Sequence, residues 1–318
     1  TDVFDAFFGD GSPLNEKYTS TDTFFDPRVS LQWQPNESKM YYASAAKGSR
    51  SGDCNPGQLP FDPTILAEIK CYDSEYNWTY ELGTRTDWFD ERLRFNLTLF
   101  YVDWSDLQFR TQIPELGNLS TITTNLGDLQ SYGAETEIQW LVAQGLTASL
   151  AYGFSDPKFD DDKPLPDFGT SVLCSSGVFS GSDCIDNPVN PADTRQYVNI
   201  AGKQLRRTSR HTFNAGLQYY QQLSGPWEWY ARGDDRYQSK QYQEMHNALC
   251  VPSLSVIDAR TGFRDEHWDI SLWVRNLTDE NTPLSAYAFQ TDLNNSDYAT
   301  TVVNRERRRS GITVNFRY

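Results

Sequence analysis

Apolar residues in this chain recur with a period of two, in one segment after another. In RLRFNLTL, Leu93, Phe95, Leu97 and Leu99 alternate with Arg92, Arg94, Asn96 and Thr98. TFNAGLQY repeats the pattern with Phe213, Ala215, Leu217 and Tyr219, and WDISLWV with Trp268, Ile270, Leu272 and Val274. The final residues, GITVNFRY, keep it up to the last aromatic, Tyr318. Successive side chains of a strand point to opposite faces, so each segment predicts a strand with one apolar and one polar face. The same reading holds for RVSLQWQ, KMYYASAAKG, TYELGTRTDW, YGAETEIQWL, LTASLAYGF, WEWYARGDDRY and SVIDARTGF. That makes about 11 strands. Helical spacing is confined to residues 63–70, so the expected class is all-β.

The connections come in two lengths. Short ones fall at 35–38, 89–91, 142–145, 223–226 and 265–267. Long ones fall at 51–75, 107–128, 156–207, 240–252 and 278–305, and the two kinds alternate without exception. An up-and-down sheet with tight turns on one rim and long loops on the other produces this order. Transmembrane β-barrels of bacterial outer membranes have that asymmetry, with short periplasmic turns and long extracellular loops.

The competing architecture is a soluble sandwich, with the apolar face turned into a dry core. Two features oppose it. The strands read to about 10–15 residues, against a usual five or six. Aromatics also gather near strand ends, at Trp33, Trp88, Trp104, Trp140, Trp227, Trp268, Phe316 and Tyr318, as in the interfacial belts of membrane barrels. The polar faces carry Arg28, Glu81, Arg85, Arg92, Arg94, Glu135, Glu137, Arg232, Asp234, Arg236, Asp258, Arg260, Arg264, Asp269, Arg275 and Arg317. Such charges suit a wet lumen, because facing lipid costs roughly 2–4 kcal/mol each at the midplane.

Composition removes other classes. A net charge of −15 over 318 residues argues against a nucleic-acid partner. No run of 18 apolar residues supplies a membrane helix, and no signal peptide is visible. Cys54 with Cys71, and Cys174 with Cys184, form local pairs in Gly/Ser/Pro/Asp-rich segments, which predicts two loop disulfides in an oxidising compartment and leaves Cys250 over. No Cys/His spacing suits zinc. Ser209 and His211 share a strand face as a hydrolase pair could, but His211 also shares parity with Phe213, so no catalytic residues are assigned. Asp160, Asp161 and Asp162 lack the spaced ligands of a calcium loop. No enzyme activity, cofactor or resident metal is expected.

Several stretches resemble one family. PRVSLQWQPNESKMYYASAAKGSRSGDCN (27–55), YELGTRTDWFDERLRFNLTLFYVDWSDLQ (80–108), YGAETEIQW (132–140), RRTSRHTFNAGLQY (206–219), LWVRNLTDE (272–280) and the terminal VNFRY are similar, in this order, to hairpins of TonB-dependent outer-membrane receptors. That resemblance implies a barrel of about 22 strands, plugged by an N-terminal domain, which imports a scarce bulky ligand with energy from the TonB complex. Ferric siderophores are the leading ligand class. Residues 1–318 are then expected to be the C-terminal half of such a barrel, with 1–26 in an extracellular loop and 27–318 supplying strands. The plug and the TonB contact would lie before them. Partners would be outer-membrane lipid, the ligand and, through the missing N-terminal part, TonB. Parity places Arg210, Arg236, Lys240, Arg305, Arg307 and Arg309 on the lumen side near the long-loop rim, where they suit oxygen-rich anionic chelates. Alternatives are a receptor for cobalamin or carbohydrate, and a soluble secreted β-protein that binds a partner through its loops.

Overall fold

Eleven antiparallel strands lie side by side in chain order. The computed structural model describes residues 21–55, 71–112, 121–161, 166–167, 174–175, 177, 180–186, 194, 196–290 and 298–318. The strands are Arg28–Asn36, Lys39–Arg50, Glu75–Trp88, Leu93–Ser105, Leu129–Ala143, Leu146–Ser155, His211–Gln222, Glu228–Gln238, Leu254–Arg264, Trp268–Arg275 and Arg309–Phe316, numbered here first to eleventh. A short segment, Lys158–Phe159, adds to the fifth. Among the described residues the first and eleventh strands do not pair, so the sheet is open at both edges. The helix expected over 63–70, Asp162 and residues 1–20 lie outside the described residues.

The register climbs across the sheet. One row of cross-strand partners runs Trp33, Tyr41, Thr84, Leu97, Thr136, Tyr152, Phe213, Tyr237, Ser255. It starts beside the short turn on the second strand and reaches the long-loop end on the ninth. This stagger is the shear that lets a sheet curl with its strands tilted, typically by about 35–45°.

The two faces separate as the alternation requires. Leu93, Phe95, Leu97, Ile257, Phe263, Ile270 and Leu272 share one face, and Arg94, Arg260, Arg264 and Asp269 the other. The apolar face has no second sheet against it. Leu31, Leu82, Leu217, Leu272 and Ile312 are each more than half exposed, which rules out the sandwich. The polar face lines a concave trough of about 870 Å³. Arg92 departs from the expectation: it sits in the turn before its strand, where its guanidinium donates to the carbonyls of Leu141 and Val142.

Aromatics band the apolar face at both ends. Near the short turns Trp33 stacks on Tyr41, Tyr219 meets Trp229 edge-on, and Trp268 lies 4.7 Å from Phe316. Towards the loops come Trp78, Tyr80 and Tyr101 in series, then Tyr132 with Phe154 and Phe213 with Tyr237. Rings suit the two interfaces of a bilayer. Trp104 is a correction. It lies on the opposite face from Tyr101 and packs against a buried cluster of loop residues.

That cluster is a dry core among the described residues, and it is built mostly from the long connections rather than lying between sheets. Leu107, Leu126, Leu129, Phe159, Ile200 and Met245 are buried together. Each long connection also carries its own paired segments, such as Gln108–Gln112 with Thr121–Asn125 and Ser285–Gln290 with Tyr298–Val303. Side-chain amides join one connection to the next. Thr123 N–H donates to Asn55 Oδ1 while Asn55 Nδ2 donates to the Thr123 carbonyl. Asn247 binds both main-chain groups of Gln204, each at 2.8 Å. Asn125 makes the same two-point contact with Asp73. Each amide imitates a strand neighbour, so these loop backbone groups stay satisfied without a continuous ladder. Cys54 is bonded to Cys71, and Cys174 to Cys184, while Cys250 is free and exposed.

Candidate functional site: the concave wall and its loop rim

The wall divides by charge. On the third to fifth strands Glu81, Asp87, Glu135 and Glu137 outnumber Arg85 and Arg94. On the eighth to eleventh, Arg232, Arg236, Arg260, Arg264, Arg275 and Arg309 outnumber Glu228, Asp234, Asp258 and Asp269. Several of these groups pair along the wall. Arg94 meets Asp87 at 2.9 Å, Arg232 meets Asp234 at 2.6 Å, Arg236 meets Asp258 at 2.8 Å and Arg264 meets Glu228 at 2.6 Å. All are solvent-accessible, and such pairs contribute little to stability. Their effect is on the local field, which concave walls concentrate. Asp103 and Asp235 face the other way. Asp235 lies on the apolar face in the row of Ala215 and Ile257, and the Ser255 hydroxyl donates to it at 2.5 Å.

The six cations placed at the rim by parity are not one cluster. Arg236 is on the wall, held by Asp258. Arg309 opposes Arg275 at the head of the eleventh strand and pairs with Glu306. Arg307 pairs with Asp279 at 2.8 Å. Lys240 lies 4.9 Å above the Tyr242 ring, and its hydrogen bond with that side chain holds its ammonium above the usual lysine range. Arg305 is half-buried, and its Nε has no hydrogen-bond partner among the described residues. Arg210 breaks parity: a bend at that residue turns its guanidinium to Asp156, 2.7 Å away. Lys158 reaches the other oxygen at 3.0 Å, and Tyr132, a ring of the apolar face, donates to it.

The enzyme-like pair is dissolved by its surroundings. Ser209 donates to the Ser239 carbonyl, and His211 Nδ1 meets the Tyr152 hydroxyl at 2.8 Å. Among the described residues no His, Cys, Asp and Glu gather as a metal site. Alternation marked the wall arginines but could not show which of them hold carboxylates. It gave no signal for the asparagine links between loops, because those partners are 43 to 68 residues apart in sequence.

Comparison with known proteins agrees with this geometry. Residues 1–277 match the family model described as TonB dependent receptor-like, beta-barrel. A probable TonB-dependent siderophore receptor, PiuA of Acinetobacter baumannii, is 23% identical over 296 residues, which are 93% of this chain and 34% of that protein. Its crystal structure superposes with a TM-score of 0.60 at 22% identity, covering 92% of this chain and 35% of the other. The ferric yersiniabactin uptake receptor FyuA of Yersinia pestis gives a TM-score of 0.65 at 16% identity, covering 91% and 36%. The chain thus spans about a third of the length of the relatives it matches. A wall apolar outside and charged inside, banded twice by aromatics and matched by the family model over most of its length, belongs to the barrel domain of the TonB-dependent receptors of the bacterial outer membrane.

Proposed function

We propose that this chain forms part of the wall of a receptor that takes up a ferric siderophore across the outer membrane. Energy would come from the TonB complex, through a segment outside these residues. The observation that carries the reading is the charged concave face behind an apolar outer face, which gives a polar cargo a route past lipid. The relatives support it, being named as siderophore receptors. The rim cations Arg210, Arg236, Lys240, Arg305, Arg307 and Arg309 would attract an anionic ligand to the mouth. Lys240 has no carboxylate ion pair among the described residues, so it is the one to offer a direct contact.

The test is uptake of radiolabelled iron by cells carrying or lacking the gene, under iron limitation and across a panel of ferric chelates. Uptake of one chelate that needs both the gene and an intact TonB complex is expected. Equal uptake of every chelate with and without the gene would refute the reading.

A further inference from the structure

Two wall arginines differ from their neighbours. Arg232, Arg236 and Arg264 hold carboxylates, whereas Arg260 and Arg275 hold none among the described residues. Each of these two lies near a ring, as Arg264 also does, but with no carboxylate to hold. The Arg260 guanidinium stands 5.1 Å from the centroid of Tyr230, and that of Arg275 stands 5.4 Å from the centroid of Trp273. The rings are themselves held in place. The Tyr230 hydroxyl donates to Asp269 at 2.8 Å, and the Trp273 Nε1–H donates to Thr313 Oγ1 at 3.0 Å. A Cβ on Gly311 would meet the Trp273 ring at 2.6 Å, and one on Gly262 would meet the Tyr230 hydroxyl at 2.9 Å. Only glycine on the neighbouring strand leaves each ring its seat. Both guanidinium groups therefore lie near ordered rings and are exposed on the polar face.

The register brings them close. Arg260 opposes Trp273, and Arg275 is two residues further on that strand, so the two are diagonal neighbours on one face, about 7–8 Å apart at the backbone. A cation held near a ring face spends none of its N–H donors on a carboxylate. Arg260 also directly opposes Arg232, and Arg275 directly opposes Arg309. Like charges so placed destabilise a sheet unless neutralised. Asp234 neutralises Arg232 and Glu306 neutralises Arg309. The nearby Asp258 is already engaged by Arg236 and by the Asn276 N–H.

We propose that Arg260 and Arg275 form a clamp for the anionic oxygens of a ligand descending this side of the wall. The proposal rests on the ferric-chelate reading and narrows it: the chelate carries negative charge on oxygen. Two planar forks with free edges suit a group with several oxygens better than two point charges would.

Outer-membrane vesicles carrying the whole receptor can be compared as wild type, R260Q/R275Q and R260K/R275K. The probes are a trianionic ferric tris-catecholate and a neutral ferric tris-hydroxamate of similar size. The Gln variant should weaken the Kd for the anionic probe by about tenfold or more, and the Lys variant by about threefold, because charge remains but the fork is lost. The neutral probe should bind unchanged. Equal losses for both probes, or none for the anionic one, would overturn the clamp. A lower Tm with unchanged affinities would assign the site to a carboxylate of the protein itself, which also overturns it. If the Gln variant does not reach the membrane, the Lys variant decides. Titration with iron-free citrate separates the two readings. If no chelate binds, the ferric reading fails, and citrate binding that the Gln variant loses still upholds the clamp. Citrate that binds neither protein, or both alike, removes it.

Discussion

Asp156 shows what one carboxylate does at the loop rim. Its side chain is only 6% exposed, yet it gathers Arg210, Lys158 and the Tyr132 hydroxyl. Burial alone would raise its pKa. The Lys158 hydrogen bond and the Arg210 charge outweigh that and hold it below the ordinary carboxylate range. A carboxyl lowered on folding stabilises above its unfolded pKa and loses that contribution as pH falls through its folded value. The 156–210 connection should therefore become protease-sensitive in acid, below about pH 4. Asp156→Asn should bring that sensitivity to neutral pH, at a local cost of about 1–3 kcal/mol, and should flatten its pH dependence. Limited proteolysis against pH checks both; an unchanged profile in the variant would remove Asp156 from this role. Arg210 also marks the limit of sequence reading. Parity predicts facing only while the backbone stays extended, and a single bend sends this side chain elsewhere.

Among elements, the wall was legible and the rim was not. A strand with one face in lipid and one in water must alternate, so its eleven segments were written plainly in the chain. Their outer ends were harder, because near the loops Glu75 and Ser131 are buried polar residues that interrupt the apolar rhythm. Loop segments of two to six residues are too short to show a period. The loop core was invisible for another reason: Leu107, Met245 and the pair Phe159 and Ile200 come from three different connections and meet only after the sheet has aligned them. The cysteines were readable because each pair closes within one connection, with separations of 17 and 10 residues. Thiol labelling of the native protein should modify Cys250 alone. Replacing Cys54 and Cys71 by serine should destabilise their connection by about 3 kcal/mol in the chain-entropy estimate, read as faster amide exchange there. Labelling of all five thiols without reductant would contradict the pairing.

For the whole molecule, the open edges dominate. The first strand is exposed along all nine residues, and the eleventh is covered only on the side of the tenth. Unpaired backbone groups cost several kcal/mol each in hydrocarbon, so edges in a membrane must be covered by further strands. These 318 residues produced alone should aggregate or associate, and co-production with a segment completing the barrel should yield a heat-modifiable membrane species. A heat-modifiable monomer from the 318 residues alone would show that the edges close on themselves. The amide links across the rim carry a separate consequence. Asn55, Asn125 and Asn247 tie pieces of different connections into one surface. What an antibody meets on such a cell is a mosaic that no single loop peptide reproduces. Sera raised against isolated loops should recognise the denatured chain and ignore intact bacteria, whereas a vaccine fragment would have to keep several connections, and the wall that aligns them, together.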